Sequence, residues 1–384
     1  MESIRLPIWL GEMPCFHKLK SRAFGKGKRS RLTITMGQQA NGSRIFALEA
    51  AKFLAAFGVA MIHLAPCTPN AELLTNVIRL FPVYYFYASA VHFTVRRVLW
   101  KDDRMANAVS FGRLVRPYVA WTVLYLLLRW QKNGGLPSSE GWHDWFGFLF
   151  MGQSAVHLYF LPQLIYFQIV AASSALICWN LFHKRIHRTA VCWFGLAFVA
   201  SVCIDRAGYF GWNHAFVSGL IYASLGGASV ALDSRVRRVW DRVVVSAGCL
   251  MCLFVIIAAL GTEMPWFYHV LSGPVFGSCT LLALLRMRLG VPPRWLEWLV
   301  SSYFGIYLAH HAIEEGIELL FRKFGLELIP YDLTSRLWFA LVAVSGGVAV
   351  TWVIRLSPGL SLWMLGESAV RAATSDDVAK YAVN

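Results

Sequence analysis

Apolar runs of about 17–25 residues recur along this chain, the length a helix needs to cross the hydrocarbon core of a bilayer. The pattern predicts ten such spans, near 45–65, 77–95, 114–131, 158–182, 189–205, 214–232, 243–261, 266–286, 298–320 and 335–355. The predicted fold is therefore all-α, a polytopic membrane bundle of about ten transmembrane helices. The longest predicted outer connection, 129–157, holds the amphipathic stretch Trp142–Met151. That stretch is too short to span and reads as interfacial or re-entrant. Residues 1–44 carry no sustained apolar run and read as a basic tail without a cleavable secretory signal. Met36 is a plausible alternative start within it. Residues 45–366 form one membrane domain and 367–384 a second tail, with no internal repeat.

Composition narrows the class. Of 384 residues, 57% are hydrophobic and only 15% charged, where soluble domains carry about 25% charge. A soluble fold of this size needs more polar surface than that. Soluble enzymes, disordered chains and disulfide-rich secreted domains are excluded as leading classes. The net charge of +15 invites a nucleic-acid reading, but its distribution argues otherwise. With the N-terminus inside, 28 of the 36 Lys and Arg fall on or beside inner segments and six on or beside outer ones. That asymmetry follows the positive-inside rule and puts both termini in the cytoplasm. The basic excess is a topology signal, and no nucleic-acid partner is expected. Of the eight cysteines only Cys67 falls clearly in an outer loop, so no disulfide framework is expected there. Cys249 and Cys252 lie within an apolar span and read as packing residues.

Charge inside the predicted spans carries the chemistry, because each ionised group at mid-membrane costs about 2.5–3.5 kcal/mol on insertion scales. Glu49 and Lys52 are three apart on the first span and can pair on one helix face. His63 follows Lys52 by eleven residues, which returns it to the same face about 16 Å further along the axis. One polar stripe thus joins a cation near the inner side to an imidazole near the outer side. His310 and His311 near the outer end of the ninth span, and His157 at the start of the fourth, converge on that imidazole's depth. Glu314 and Glu315 follow on the ninth span. Snorkelling of Lys52 and interfacial anchoring of the histidines are the competing readings. On the inner side Arg96, Arg97, Lys101, Arg104, Arg113 and Arg116 crowd one connection. Arg113 and Arg116, three apart before Pro117, can offer two guanidinium groups to phosphate oxygens. Topology alone also explains such a run.

In this order the elements resemble membrane-bound acyltransferase family 3, whose members acylate sugars of surface glycans. The resemblance rests on Glu49, Lys52 and His63 in the first span, and on Arg113 and Arg116 before Pro117 and Tyr118. It rests also on His157-Leu-Tyr-Phe-Leu-Pro162, on Gly305-Ile-Tyr-Leu-Ala-His310 and on Gly366. It covers nearly all of residues 45–366. The departures are Lys52 where the family more often has Arg, Ser89-Ala90 in place of Ser-Gly, and Arg116 running directly into Pro117. No second catalytic module is expected.

The resemblance implies a cytoplasmic acyl-CoA donor and a glycan hydroxyl acceptor facing outward. The acyl group is acetyl by family precedent, and the acceptor a lipid-linked or polymerising exopolysaccharide unit. On this reading His63 is the general base, Lys52 serves the donor arm or a developing oxyanion, and Glu49 partners Lys52. Arg113 and Arg116 hold donor phosphates, while His157, Tyr159, Tyr307 and His310 line the acceptor side. No permanently bound cofactor or metal is expected, acetyl-CoA being a co-substrate, and the location is the bacterial inner membrane. The rival class is a polytopic transporter of a polysaccharide or small solute, in which intramembrane ionisable groups couple protons. The chain shows no Gly/Pro-broken helices in matching halves, which weakens a repeat-built transporter.

Overall fold

The computed structural model describes residues 30–64, 68–79, 81–101, 109, 111–133, 145, 147, 155, 157–181, 212–233, 266–287, 292–325 and 332–367. Among these residues the structure is helical, with no strand. The predicted spans 189–205 and 243–261 lie outside the described residues, as do Cys67, Cys249, Cys252, most of Trp142–Met151 and both chain ends.

The first helix, α1 (Ser30–His63), begins well before the predicted span and ends on His63 itself. Residues 77–95, expected as one span, are divided. A separate amphipathic helix α2 (Pro69–Arg79) precedes α3 (Pro82–Lys101), so Arg79 closes α2 and lies outside any span. Pro82 explains the break, because it has no N–H to continue α2 yet suits the first position of a new helix.

α4 (Phe111–Asn133) carries Pro117 inside it, followed in the chain by α5 (Phe160–Leu181), α6 (Trp212–Asp233) and α7 (Trp266–Arg286). The predicted span 298–320 is also divided, into α8 (Arg294–Ser301) and α9 (Tyr303–Lys323). At the junction both Ser301 and Ser302 turn their hydroxyls onto the Trp298 carbonyl, at 2.7 and 3.3 Å. Such back-bonding competes with the helix ladder. α10 (Leu333–Arg355) opens on Asp332, whose carboxylate accepts the Ser335 N–H at 2.8 Å.

Among the described residues three helices are long and apolar enough to cross a membrane by length and composition, over Phe46–His63, Phe160–Ile177 and Leu333–Arg355. The other predicted spans within the described residues fold as helices of 20–23 residues. α4 exposes Val115, Val119, Val123 and Leu127 every fourth residue, a stripe suited to lipid rather than water.

α3 runs through the centre, against α1, α5, α6 and α7. α9 and α10 pair closely because Gly305 faces Thr351 and Gly347 faces the Ile306 backbone, where an added Cβ would sit 2.8 Å from its Cα. Past α10 the chain makes a π-helical turn, Ser361–Leu365, ended by Gly366 at φ +64°. Gly366 rests on the Arg113 carbonyl, the group that Pro117, lacking an N–H, leaves without its helical donor. A side chain there would collide with that carbonyl and suffer left-handed strain as well.

Candidate functional site

Four histidines meet at one end of the bundle. The His63 ring, at the last position of α1, lies 6.1 Å from His157, 5.4 Å from His310 and 6.1 Å from His311. His157, in the turn before α5, is 4.8 Å from His310 and 5.3 Å from His311. His157 and His310 are buried, while His63 and His311 keep part of their surface open. His63 and His311 are therefore the two rings of the cluster open to the surroundings.

The neighbours decide orientation. His310 Nδ1–H donates to the Tyr307 carbonyl at 2.7 Å, which fixes the tautomer and leaves Nε2 as the lone-pair nitrogen. Among the described residues that Nε2, and both ring nitrogens of His157, are buried with no partner in hydrogen-bonding geometry. The Tyr307 hydroxyl donates to the His157 carbonyl. His311 stands 3.8 Å from a Glu314 oxygen and 3.7 Å from a Glu315 oxygen on its own helix. The Tyr125 ring packs 5.1 Å from His157 and 6.1 Å from His311. No group of three or more ligating side chains fit to hold a metal ion occurs among the described residues.

Lys52 precedes His63 by eleven residues on α1. It bonds Glu49 at 2.7 Å and lies 5.0 Å from the Tyr303 ring centre, a pairing that stabilises a cation away from water. Lys52 lines a cavity of about 140 Å³ shared with Arg97, Arg113, Ser89 and Gln168. Arg97 thus joins the site, although the sequence distinguished it from its basic neighbours by nothing. Arg116 is exposed and folds back toward Gly112, outside the cavity wall. Of the expected pair, Arg113 lines the cavity and Arg116 does not, and Arg97 is the second guanidinium there.

Phe86, Phe160 and Tyr307 form another part of the cavity wall. Their rings touch in sequence, Phe86 to Phe160 at 5.8 Å and Phe160 to Tyr307 at 5.1 Å. Tyr307 then packs 5.8 Å from His157 and 6.1 Å from His310. A basic chamber and a histidine cluster thus share one aromatic wall. Of the residues expected at the histidine end, His63, His157, Tyr307 and His310 are brought together. Tyr159 is 41% exposed and makes no ring contact with the four histidines.

Two residues of the site had gone unassigned in the sequence, Tyr125 and Arg336. Arg336 is wholly buried and bonds the backbone near His63. Its signal was present, since a charge inside a predicted span calls for a reason.

Beside Arg113 the segment that follows α10 is clamped. Arg355 bonds both oxygens of Glu367, at 3.2 and 2.7 Å, and the Ser301 carbonyl at 3.1 Å. The Ser361 hydroxyl adds a bond to Glu367 at 2.9 Å. Burial alone would raise the Glu367 carboxyl, but the Arg355 guanidinium and Ser361 hydroxyl outweigh it and hold the group below the usual carboxylate range. The clamp keeps Gly366 against the first turn of α4, where Arg113 enters the cavity.

A family model described as an acyltransferase domain matches residues 45–356, most of the chain. No curated protein and no solved structure matches it.

Proposed function

We propose that this chain, which belongs to membrane-bound acyltransferase family 3, transfers a short acyl group, acetyl first, from cytoplasmic acyl-CoA to a sugar hydroxyl of an exopolysaccharide or other surface glycan. The acceptor on this reading is lipid-linked, and the protein spans the bacterial inner membrane several times. The observation that carries the reading is the aromatic wall shared by a basic chamber and a histidine cluster. The chamber suits an anionic donor, the histidine cluster an alcohol that must lose a proton.

Arg97 and Arg113 would hold donor phosphates, with Lys52 along the donor arm. Placing Lys52 at the thioester oxygen fits less well. That oxygen must lie within bonding range of an acceptor hydroxyl at His63, about 16 Å along α1, beyond the reach of a lysine stem. His63 takes the hydroxyl proton as the sugar oxygen attacks the acyl carbonyl. The C–O bond forms, the C–S bond breaks, and the departing thiolate recovers the proton from the imidazolium. The small cavity with buried ring walls favours a short acyl group over a long one.

The test uses purified protein in lipid nanodiscs, radiolabelled acetyl-CoA and a lipid-linked glycan. Label in the glycan ester is the expected result. Glycan flux across proteoliposomes without esterification would establish the transporter reading instead. Single-cysteine labelling from outside checks the membrane arrangement. Positions near Pro69, Gly134 and Thr262 should label, and those near Asp102, Ser234 and Arg288 should not.

A further inference from the structure

A guanidinium stays charged at any pH a protein meets, so burying Arg336 in a candidate span demands strong local bonds. The bonds are specific. One terminal nitrogen donates to the Met61 carbonyl at 2.6 Å. The other donates to the Ala71 carbonyl at 2.8 Å and to the Thr75 hydroxyl at 2.6 Å. The Thr75 hydroxyl in turn donates to Ala71 at 2.6 Å.

These partners lie on both sides of His63. Met61 is two residues before it in the last turn of α1, where helix carbonyls lack an intrahelical donor. A cation there also complements the negative end of the helix dipole. Ala71 and Thr75 belong to α2, into which the chain runs after His63. One side chain from α10 therefore fixes the end of α1 and the start of α2 relative to each other.

We infer that Arg336 is the positioning residue for His63, locking the final turn of α1 so that the imidazole faces the acceptor hydroxyl. This inference rests on the reading of His63 as the proton acceptor. Arg336 itself touches no reacting atom.

Transfer kinetics of the full-length protein in nanodiscs, with a radiolabelled donor, test it. Arg336→Met should lower kcat roughly ten- to a hundredfold, the scale expected when a reacting group shifts by about 1 Å. The KM for acyl-CoA should hold within about twofold, because Lys52, on the donor side of the chamber, lies about 16 Å along α1 from His63. In a His63→Ala background the same substitution should cost no more than about twofold further, since coupled sites do not add. Multiplying losses in the double variant would overturn the inference, and so would a wild-type kcat for Arg336→Met. Arg336→Lys guards against misfolding: it keeps the charge, serves fewer of the three acceptors, and should give an intermediate kcat with an unchanged acyl-CoA KM. A raised acyl-CoA KM in the lysine variant would assign Arg336 to general stability instead. Failure of the underlying reading looks different, because His63→Ala would then itself remain active.

Discussion

Tyr125 donates its hydroxyl proton to the Leu308 carbonyl at 2.9 Å, and the same oxygen accepts the Ala312 N–H at 3.1 Å. In an uninterrupted α-helix Ala312 would bond Leu308 directly. The phenol of α4 bonds both groups of that link, in the turn that carries His310 and His311.

Tyr125→Phe should therefore disturb the acceptor side. Either the two backbone groups settle on each other alone and shift both imidazoles, or they lose a partner at a cost of about 1–3 kcal/mol. The expected result is a lower kcat at saturating acyl-CoA with little change in donor KM. Steady-state kinetics with a thermal melt separates the two routes, since only the second lowers the melting temperature.

His63→Asn should cost roughly a hundred- to ten-thousandfold in turnover, the contribution of a general base. Donor binding, measured by equilibrium dialysis of a non-transferable acyl-CoA analogue, should survive. Retention of more than about a tenth of turnover would reduce His63 to an interfacial anchor, well above what loss of a base permits. His310, with its lone pair on Nε2, would then be the next candidate.

At the opposite end, Lys52→Ala should raise the acyl-CoA KM and lower the yield of folded protein, because it strands Glu49 beside the chamber. Lys52→Arg should be the mildest change, keeping both the charge and the contact with the Tyr303 ring. Equal damage from both would tie the site to ammonium geometry rather than charge.

Trimming the shared wall should relax acyl-chain selection. Phe86→Leu enlarges a chamber of about 140 Å³ and is expected to raise the propionyl-to-acetyl ratio of kcat/KM several-fold, one extra methylene being worth about 1–3 kcal/mol in a fitted pocket. An unchanged ratio would show that the acyl group does not rest against this ring.

Acid should loosen the Arg355–Glu367 clamp. The Glu367 carboxyl is held below its ordinary value by Arg355 and Ser361 against the opposing effect of burial. Its contribution is thus present above the unfolded-chain pKa and is lost as pH falls through the lower folded value. Wild-type melting temperature should drop across that acidic window more steeply than that of Glu367→Gln. Parallel pH profiles would remove Glu367 from the account.

The sequence alone determined the helical membrane character, because apolar length and scarce charge leave a water-soluble chain too little polar surface. It also singled out Lys52, His63 and His310 as ionisable groups within apolar spans, Arg113 and His157 at span edges, and Tyr307 through the family resemblance. Helix breaks were only partly legible. Pro82 marked one, but the α8–α9 junction at Ser302 depends on how two serine hydroxyls settle on a single carbonyl. Which cations share a chamber was decided by tertiary structure, for Arg97 and Arg116 look alike in a basic run. Helix rotation turns Arg97 inward and leaves Arg116 exposed. Tyr125 and Arg336 gained their roles the same way, because their partners at Leu308, Ala312 and Met61 are backbone groups. Every residue carries a backbone carbonyl, so no side-chain pattern could announce which of them a distant hydroxyl or guanidinium would reach. Only the packing of α4 on α9 and of α10 on α1 brings them within hydrogen-bond range.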